Sequence, residues 1–400
     1  MNWNDYWFDF ILKHEDKIDW GNISKNPNVT MELFEKNIDK PWDWFGLSNN
    51  PNLTLEIIDK YSEKSWDWLF ISNNPNVVNL EFIEKYKDEQ LDWFYIGKSP
   101  HLTMDFIERN PTIVWDYRHI YKNPNLTIEY IVKHPRQWNW DTICCYSNIT
   151  IRDIEKYPDK PWNWKYISQN SNINMEHIES NPDKPWDWQT ISNNINLTMK
   201  YIDKYPNNDW NWNLISTNPS ITLDFIEKYI DKKWNWRSLS KNPNLTIKWT
   251  EKYPDKQWRW YLISQHPNIT MQDIENYIDK PWHPRFIVLN PNLTIDFINN
   301  NQDKIWSWNF ISQNSNISIE DIKNNIDKPW SWYDISINKF TKEKELFELR
   351  INKQKFVQEH LFESFVKKAY HPDRIKRILN ELEDEDPNRD NWEYMDDYVI

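Results

Sequence analysis

Residues 30–53 read TMELFEKNIDKPWDWFGLSNNPNL, and near copies of this stretch follow one another to about residue 340. At its centre stand Trp42 and Trp44. The first member of the pair recurs as Ile18, Trp42, Trp66, Leu91, Trp115, Trp138, Trp162, Trp186, Trp210, Trp234, Trp258, Trp282, Trp306 and Trp330. The second recurs as Trp20, Trp44, Trp68, Trp93, Tyr117, Trp140, Trp164, Trp188, Trp212, Trp236, Trp260, Pro284, Trp308 and Trp332. The step is 24 residues, broken once by 25 (Trp68 to Trp93) and once by 23 (Tyr117 to Trp140). A fixed short period means a tandem array, so length alone does not count the domains.

Within the unit, Thr30 precedes apolar residues at Met31, Leu33, Phe34 and Ile38, a helical spacing whose first residue can accept a backbone hydrogen bond. Thr30 is therefore the predicted cap of a helix A, with Thr54, Thr103, Thr127, Thr150, Thr198, Thr222, Thr246, Thr270 and Thr294 in the same place and Asn79, Asn174 and Ser318 as variants. Pro41 forces the residue before it out of the α region and suits a first helical turn. A helix B is expected from about Pro41 to Ser48, closed by Asn49-Asn50-Pro51-Asn52. Helices this short are marginal alone and must be stabilised by stacking.

A buried tryptophan contributes on the order of 5 kcal/mol gross, from roughly 200 Å² at about 25 cal/mol/Å². An exposed row of them would cost more than a protein's whole net stability, so the core is assigned to Trp42, Trp44, Trp66, Trp68, Trp162, Trp164, Trp186, Trp188, Trp210, Trp212, Trp234, Trp236, Trp258, Trp260, Trp306, Trp308, Trp330 and Trp332. The second slot is expected to face the helix A of its own unit and the first to wedge between units. About thirteen units, with layers roughly 8 to 10 Å apart, give a curved rod on the order of 100 Å or more. Pro284 is expected to break its helix B and kink the array, or to mark a binding spot.

Composition excludes much chemistry. The three glycines, Gly21, Gly46 and Gly97, are scattered and cannot form a phosphate-binding loop. The two cysteines, Cys144 and Cys145, are adjacent, which neither staples a loop nor makes a metal-ligand pair and suits a reducing compartment. The net charge of −13 is concentrated in residues 381–400, where nine acids stand against Arg389. The array itself lacks the basic excess of a nucleic-acid binder. MNWNDYWFDF does not read as a secretion signal, and no apolar run approaches a membrane span. The repeated serines (Ser48, Ser72, Ser168 and their equivalents) are helix-end hydrogen bonders, since a nucleophile would be singular. The Asn-x-Thr/Ser triplets, such as Asn52-Leu53-Thr54, are turn and cap before they are glycosylation sequons. No catalytic, cofactor or metal site is predicted.

At the ends, residues 1–29 read as an N-terminal cap and partial repeat and 30–340 as the array. A helical cap is expected over 341–383, burying Leu346, Phe347, Phe356, Val357, Leu361, Phe362, Phe365 and Val366, followed by an acidic tail over 384–400. His371-Pro372-Asp373 resembles the loop by which J-domain co-chaperones stimulate Hsp70, although Ile375, Ile378 and Leu379 follow where a basic spacer belongs. The motifs Ile38-Asp39-Lys40-Pro41-Trp42-Asp43-Trp44 and Asn50-Pro51-Asn52-Leu53-Thr54, with the ending Tyr370-His371-Pro372-Asp373-Arg374-Ile375, resemble the tandem short-repeat proteins of giant DNA viruses of the mimivirus type. The resemblance implies a viral repeat protein and no catalytic residues. The expectation is an all-α solenoid of stacked helix-turn-helix repeats that is not an enzyme. It would be a monomeric scaffold or adaptor in the host cytoplasm or the virion, binding an unidentified protein partner on its concave face, with no cofactor, nucleic acid or membrane. The alternatives are a ligand-binding array of exposed tryptophans and co-chaperone activity through His371, Pro372 and Asp373.

Overall fold

A computed structural model describes residues 2–134, 138–146, 148–357, 368 and 371–377. Met1–Phe340 and Thr341–Ile400 form two compact units. The described residues are helical, with no strand. In the first unit, fourteen A helices alternate with fourteen B helices, from Trp3–Leu12 and Trp20–Ser24 to Ile319–Asn324 and Trp332–Ile337.

Helix A follows its cap. Thr30 Oγ1 accepts the Leu33 N–H at 3.2 Å, and Met31–Lys36 buries Met31, Leu33 and Phe34. Thr54, Thr103, Thr127, Thr150, Thr222, Thr270 and Thr294 cap in the same way, as do Asn79, Asn174 and Ser318. Thr198 and Thr246 make no such side-chain bond; there the N–H groups of Tyr201 and Trp249 bond the Thr198 and Thr246 carbonyls, both at 3.0 Å.

Helix B starts later than the proline predicts, at the second tryptophan: Trp44–Ser48 rather than Pro41–Ser48. The reason is Asp43, whose backbone is extended and whose carboxylate accepts the Gly46 N–H at 2.7 Å. The two tryptophans therefore do not share a helix. The first lies on the extended link, and its indole N–H ends helix A by donating to the Asn37 carbonyl at 2.7 Å. Pro284 does not break its helix B: Pro284–Ile287 forms with the proline at the first helical position, where no N–H is needed.

Neighbouring units are joined by a repeating polar set. Ser24 Oγ accepts the Asp43 N–H at 2.9 Å, Asn50 Nδ2 donates to the Ser24 carbonyl at 2.7 Å, and Asn52 Nδ2 donates to the Pro27 carbonyl at 2.8 Å. The same set joins the last unit to the first. Ser336 Oγ accepts the Asp19 N–H at 3.1 Å, Asn26 Nδ2 donates to the Ser336 carbonyl at 2.9 Å, and Asn28 Nδ2 donates to the Lys339 carbonyl at 3.0 Å. Trp332 stacks on His14 at 4.3 Å and meets Phe10 at 6.1 Å.

The array is thus a closed ring and not an open rod. Residues 1–29 do not cap an end; they complete the fourteenth junction. Fourteen units share one full turn, about 26° each, a rotation set by how unequally the two helix layers are spaced. Closure leaves no terminal face to cover. Accordingly, the helix Thr341–Phe356 buries none of its residues, and Leu346, Phe356 and Val357 of the expected buried stripe are exposed. Leu361, Phe362, Phe365, Val366 and the acidic tail lie outside the described residues.

Candidate functional site

The first-slot indoles Trp42, Trp66, Trp210, Trp234, Trp258 and Trp330 are buried, and Trp162, Trp186 and Trp306 are half-buried. The second-slot indoles Trp44, Trp68, Trp164, Trp188, Trp212, Trp236, Trp260, Trp308 and Trp332 are all half-buried. The first-slot ring wedges between units as expected, Trp42 stacking on Phe8 of the unit before at 5.8 Å, but it also packs on its own helix A. The second-slot ring meets its own helix A, Trp44 lying 5.8 Å from Phe34, but also reaches the next unit. Trp42 packs on Phe34 of its own helix A at 5.6 Å, while Trp68 reaches Phe82 and Tyr86 of the next unit. The physical reason is the late start of helix B, which leaves the first ring beside the helix A it terminates. Where both slots hold tryptophan, as at the following junctions, the second-slot indole meets the next first-slot indole edge to face. Trp44–Trp66, Trp164–Trp186, Trp188–Trp210 and Trp308–Trp330 are 4.9–5.1 Å apart. The half-exposed faces are partly covered by lysines: Lys64 over Trp44, Lys232 over Trp212 and Lys256 over Trp236, at 5.5–6.0 Å. These rows are mortar with a lysine cover, which argues against an open platform.

The turn asparagines do more than turn. Asn50 is fully buried, accepts the Asn52 N–H and donates to carbonyls of the preceding unit, and Asn74, Asn123, Asn170, Asn194, Asn242, Asn290, Asn314 and Asn338 also bond the unit before. The sequon asparagines Asn52, Asn125, Asn196, Asn244, Asn268 and Asn292 spend their amides on the preceding unit as well. Cys144 takes the place of the repeated serine and accepts the Asn163 N–H at 3.4 Å; burial pushes its thiol up to about 11, so it is protonated at neutral pH. Among the described residues, no three His, Cys, Asp or Glu side chains converge as a metal site. His371 and Asp373 are exposed, 3.5 Å apart, at the start of a short helical stretch over 372–377.

What varies from unit to unit lies on helix B. Adjacent B helices pack directly, so closely at Gly21 and Gly46 that a Cβ on Gly46 would stand 2.5 Å from the Gly21 carbonyl oxygen. Adjacent A helices are instead bridged by long side chains, such as Lys60 to Glu35 and Lys228 to Asp203. Elements nearer a ring's axis have less circumference to share, so the B helices form the inner wall. Helices roughly 8–10 Å apart and about 10–12 Å thick leave an opening on the order of 25–30 Å.

On each B helix the residue after the second tryptophan lies opposite the buried apolar residue and faces that opening. It is Phe45, Leu69, Phe94, Asp141, Lys165, Gln189, Asn213, Arg237, Arg285, Asn309 or Tyr333, all exposed, with Gly21 and Tyr261 half-buried in the same place. The scaffold does not dictate this residue. Around the closure, most of the large apolar ones gather, while Tyr261 stands apart from them against Phe286 at 5.2 Å. Phe310 and Tyr333 precede the first unit; Phe45 contacts Phe70 at 4.9 Å, Leu69 is 56% exposed, and Phe94 packs on Tyr95. Asp141, Lys165, Gln189, Asn213 and Arg237 make the other side polar. Sequence reasoning missed this division because residues far apart in the chain become neighbours only when the ring closes. An open polar groove of about 650 Å³ runs past Asn213, Lys233, Arg237 and Lys256 beside Trp236.

No protein-family model, curated protein or solved structure matches the chain. Among the described residues, no helix is long and apolar enough to cross a membrane.

Proposed function

We propose that the chain is a non-enzymatic binding scaffold whose inner wall holds a protein partner, the aromatic side of the wall supplying the contact. The exposed cluster of Phe45, Leu69, Phe70 and Phe94 carries this reading, because apolar side chains left in water on a closed framework are retained at a cost unless something covers them. The recurrence of the same hydroxyl, amide and carboxylate groups in unit after unit supports a structural role for them. The resemblance to giant-virus repeat proteins favours a partner met in an infected cell's cytoplasm or in the virion. A monomeric ring already satisfies its own ends, which fits a chain that works as a single copy.

The test is chemical cross-linking of the full chain in infected cells, compared with the triple variant Phe45→Ser, Phe70→Ser, Phe94→Ser and with a control altered on the outer wall at Glu32 and Glu56. The proposal requires one cross-linked species that the inner-wall variant loses and the control keeps. Equal capture by both variants would count against the inner wall.

A further inference from the structure

Pro284 stands where the other units, Tyr117's apart, hold the second-slot tryptophan, and the space that an indole fills elsewhere is open. A cavity of about 270 Å³ lies beside it, lined by the apolar side chains of Ile278, Trp282, Pro284, Ile287 and Phe297 and by the polar ones of Glu275, Lys280, Asn301 and Lys304. The regular units show what belongs in such a place. Phe297 corresponds to Phe225, which stacks on Trp212 at 6.4 Å, and to Phe82, which meets Trp68 at 6.4 Å. Lys304 corresponds to Lys64, Lys232 and Lys256, each of which lies over a second-slot indole. Trp306 corresponds to Trp66 and Trp234, each held edge to face by such an indole, whereas Trp306 makes a ring contact only with Phe297 among the described residues. Ile278 is 65% exposed, against 46% for Ile38 and 45% for Ile230 in units that keep the tryptophan.

The helix has not collapsed into the gap. Pro284–Ile287 keeps its length, His283 N–H still bonds Ser264 Oγ at 3.0 Å, and Trp282 Nε1 still donates to the Tyr277 carbonyl at 2.7 Å. The local backbone keeps the hydrogen bonds of a regular unit although its indole is absent. A protein cavity of about 150 Å³ with apolar walls suffices for benzene; this one is larger, of mixed lining and open to solvent, and has room for a bicyclic ring against the Phe297 phenyl face.

We propose that the gap at Pro284 is a binding site for an indole-class aromatic ring, which would lie against Phe297 beneath the Lys304 ammonium. The site stands apart from the inner wall and does not depend on the reading of that wall. The ring could arrive free or as a tryptophan side chain; the chemistry recognised is the same, and the experiment separates the two.

The test titrates the full chain with 5-fluoroindole, followed by fluorine NMR, and separately with N-acetyltryptophanamide, followed by calorimetry. Wild type is expected to bind with Kd on the order of 0.1–1 mM, as the efficiency of a small aromatic ligand allows. Pro284→Trp, which refills the gap from within, should weaken binding at least tenfold, and Lys304→Met a few-fold. Pro284→Phe serves as the blocking variant should the tryptophan misfold. Binding of both probes assigns the site to a side chain, and binding of fluoroindole alone to a free aromatic. No saturable binding to wild type by several millimolar, or equal binding by wild type and the blocked variants, overturns the proposal.

Discussion

Ser336 Oγ accepts a hydrogen bond from the backbone N–H of Asp19 at 3.1 Å, across 317 residues of chain. The bond repeats Ser24 to Asp43 and Ser48 to Asp67, each spanning 19 residues. The closing junction is thus chemically one more internal junction. Removing residues 1–28 should leave Trp332, Ser336 and Asn338 without their cover and open the ring. The truncated chain is expected to show a larger radius of gyration in small-angle scattering, a lower Tm and concentration-dependent self-association by light scattering. A monomer with the parent's radius and Tm would show that closure adds nothing.

The first-slot indole has a second task besides filling space. Trp162 Nε1 donates to the Tyr157 carbonyl at 2.8 Å, at the end of a helix A, as Trp186 does to Asn181 and Trp234 to Tyr229. Trp162→Phe keeps most of the ring and loses the donor, leaving a carbonyl short of its partner. It should cost about 1–2 kcal/mol more than Trp164→Phe: both indoles are half-buried, and the Trp162 N–H also serves the carbonyl that ends a helix A. Urea midpoints of the two variants measure the difference. Equal losses would mean that the indole N–H contributes nothing.

Much of this architecture was legible in local residue patterns, and the part that was not has a physical reason. Thr30 and the spacing of Met31, Leu33 and Phe34 announce helix A because cap and apolar face lie within one turn of each other. The start of helix B was misplaced because Pro41 and Asp43 both favour a helix start, and only the carboxylate reaches a free N–H. The asparagine ladder was hidden because Asn50-Pro51-Asn52 is a sufficient turn by itself, while the carbonyls it serves, those of Ser24 and Pro27, lie one period away. Ring closure has no signature residue at all; it is the sum of fourteen small rotations. The mixed inner wall inherits that obscurity, since Tyr333 and Phe45 belong to the same stretch of wall only after closure.

Gly46 is where two B helices come closest. A Cβ there would lie 2.5 Å from the Gly21 carbonyl oxygen and 2.8 Å from Ser24 Cβ, and neither atom can move without shifting backbone. Gly46→Ala is therefore expected to lower stability by about 1–3 kcal/mol, the range for overpacking a well-filled interior. Gly97 sits in helix B of another unit, and its Cβ would meet only ordinary contacts at 3.6–3.8 Å. Gly97→Ala should be neutral or stabilising, as alanine favours the helix. Thermal melts of the pair distinguish the two sites; equal shifts would refute the close approach.

His266 replaces the ladder asparagine in one unit and keeps both of its bonds. Nε2 lies 2.9 Å from the Asn242 carbonyl, and Nδ1 accepts the Asn268 N–H at 3.2 Å, which requires the neutral ring with its proton on Nε2. Burial lowers its pKa below the ordinary 6.5. The sign follows from linkage. The unfolded chain takes up the proton first, so the stability contributed by neutral His266 is complete above about pH 6.5 and declines as pH falls from there through the lower folded value, at no more than about 1.4 kcal/mol per pH unit. His266→Asn restores the amide that Asn242 and Asn290 supply and removes this titration. The difference in urea midpoint between wild type and variant should therefore be flat from pH 8 to 6.5 and then move in the variant's favour toward pH 5. The other histidines are common to both proteins and cancel in that difference. A difference independent of pH would mean that His266 takes up its proton as readily in the folded ring as in the unfolded chain, contrary to its burial and to the Asn268 N–H it accepts.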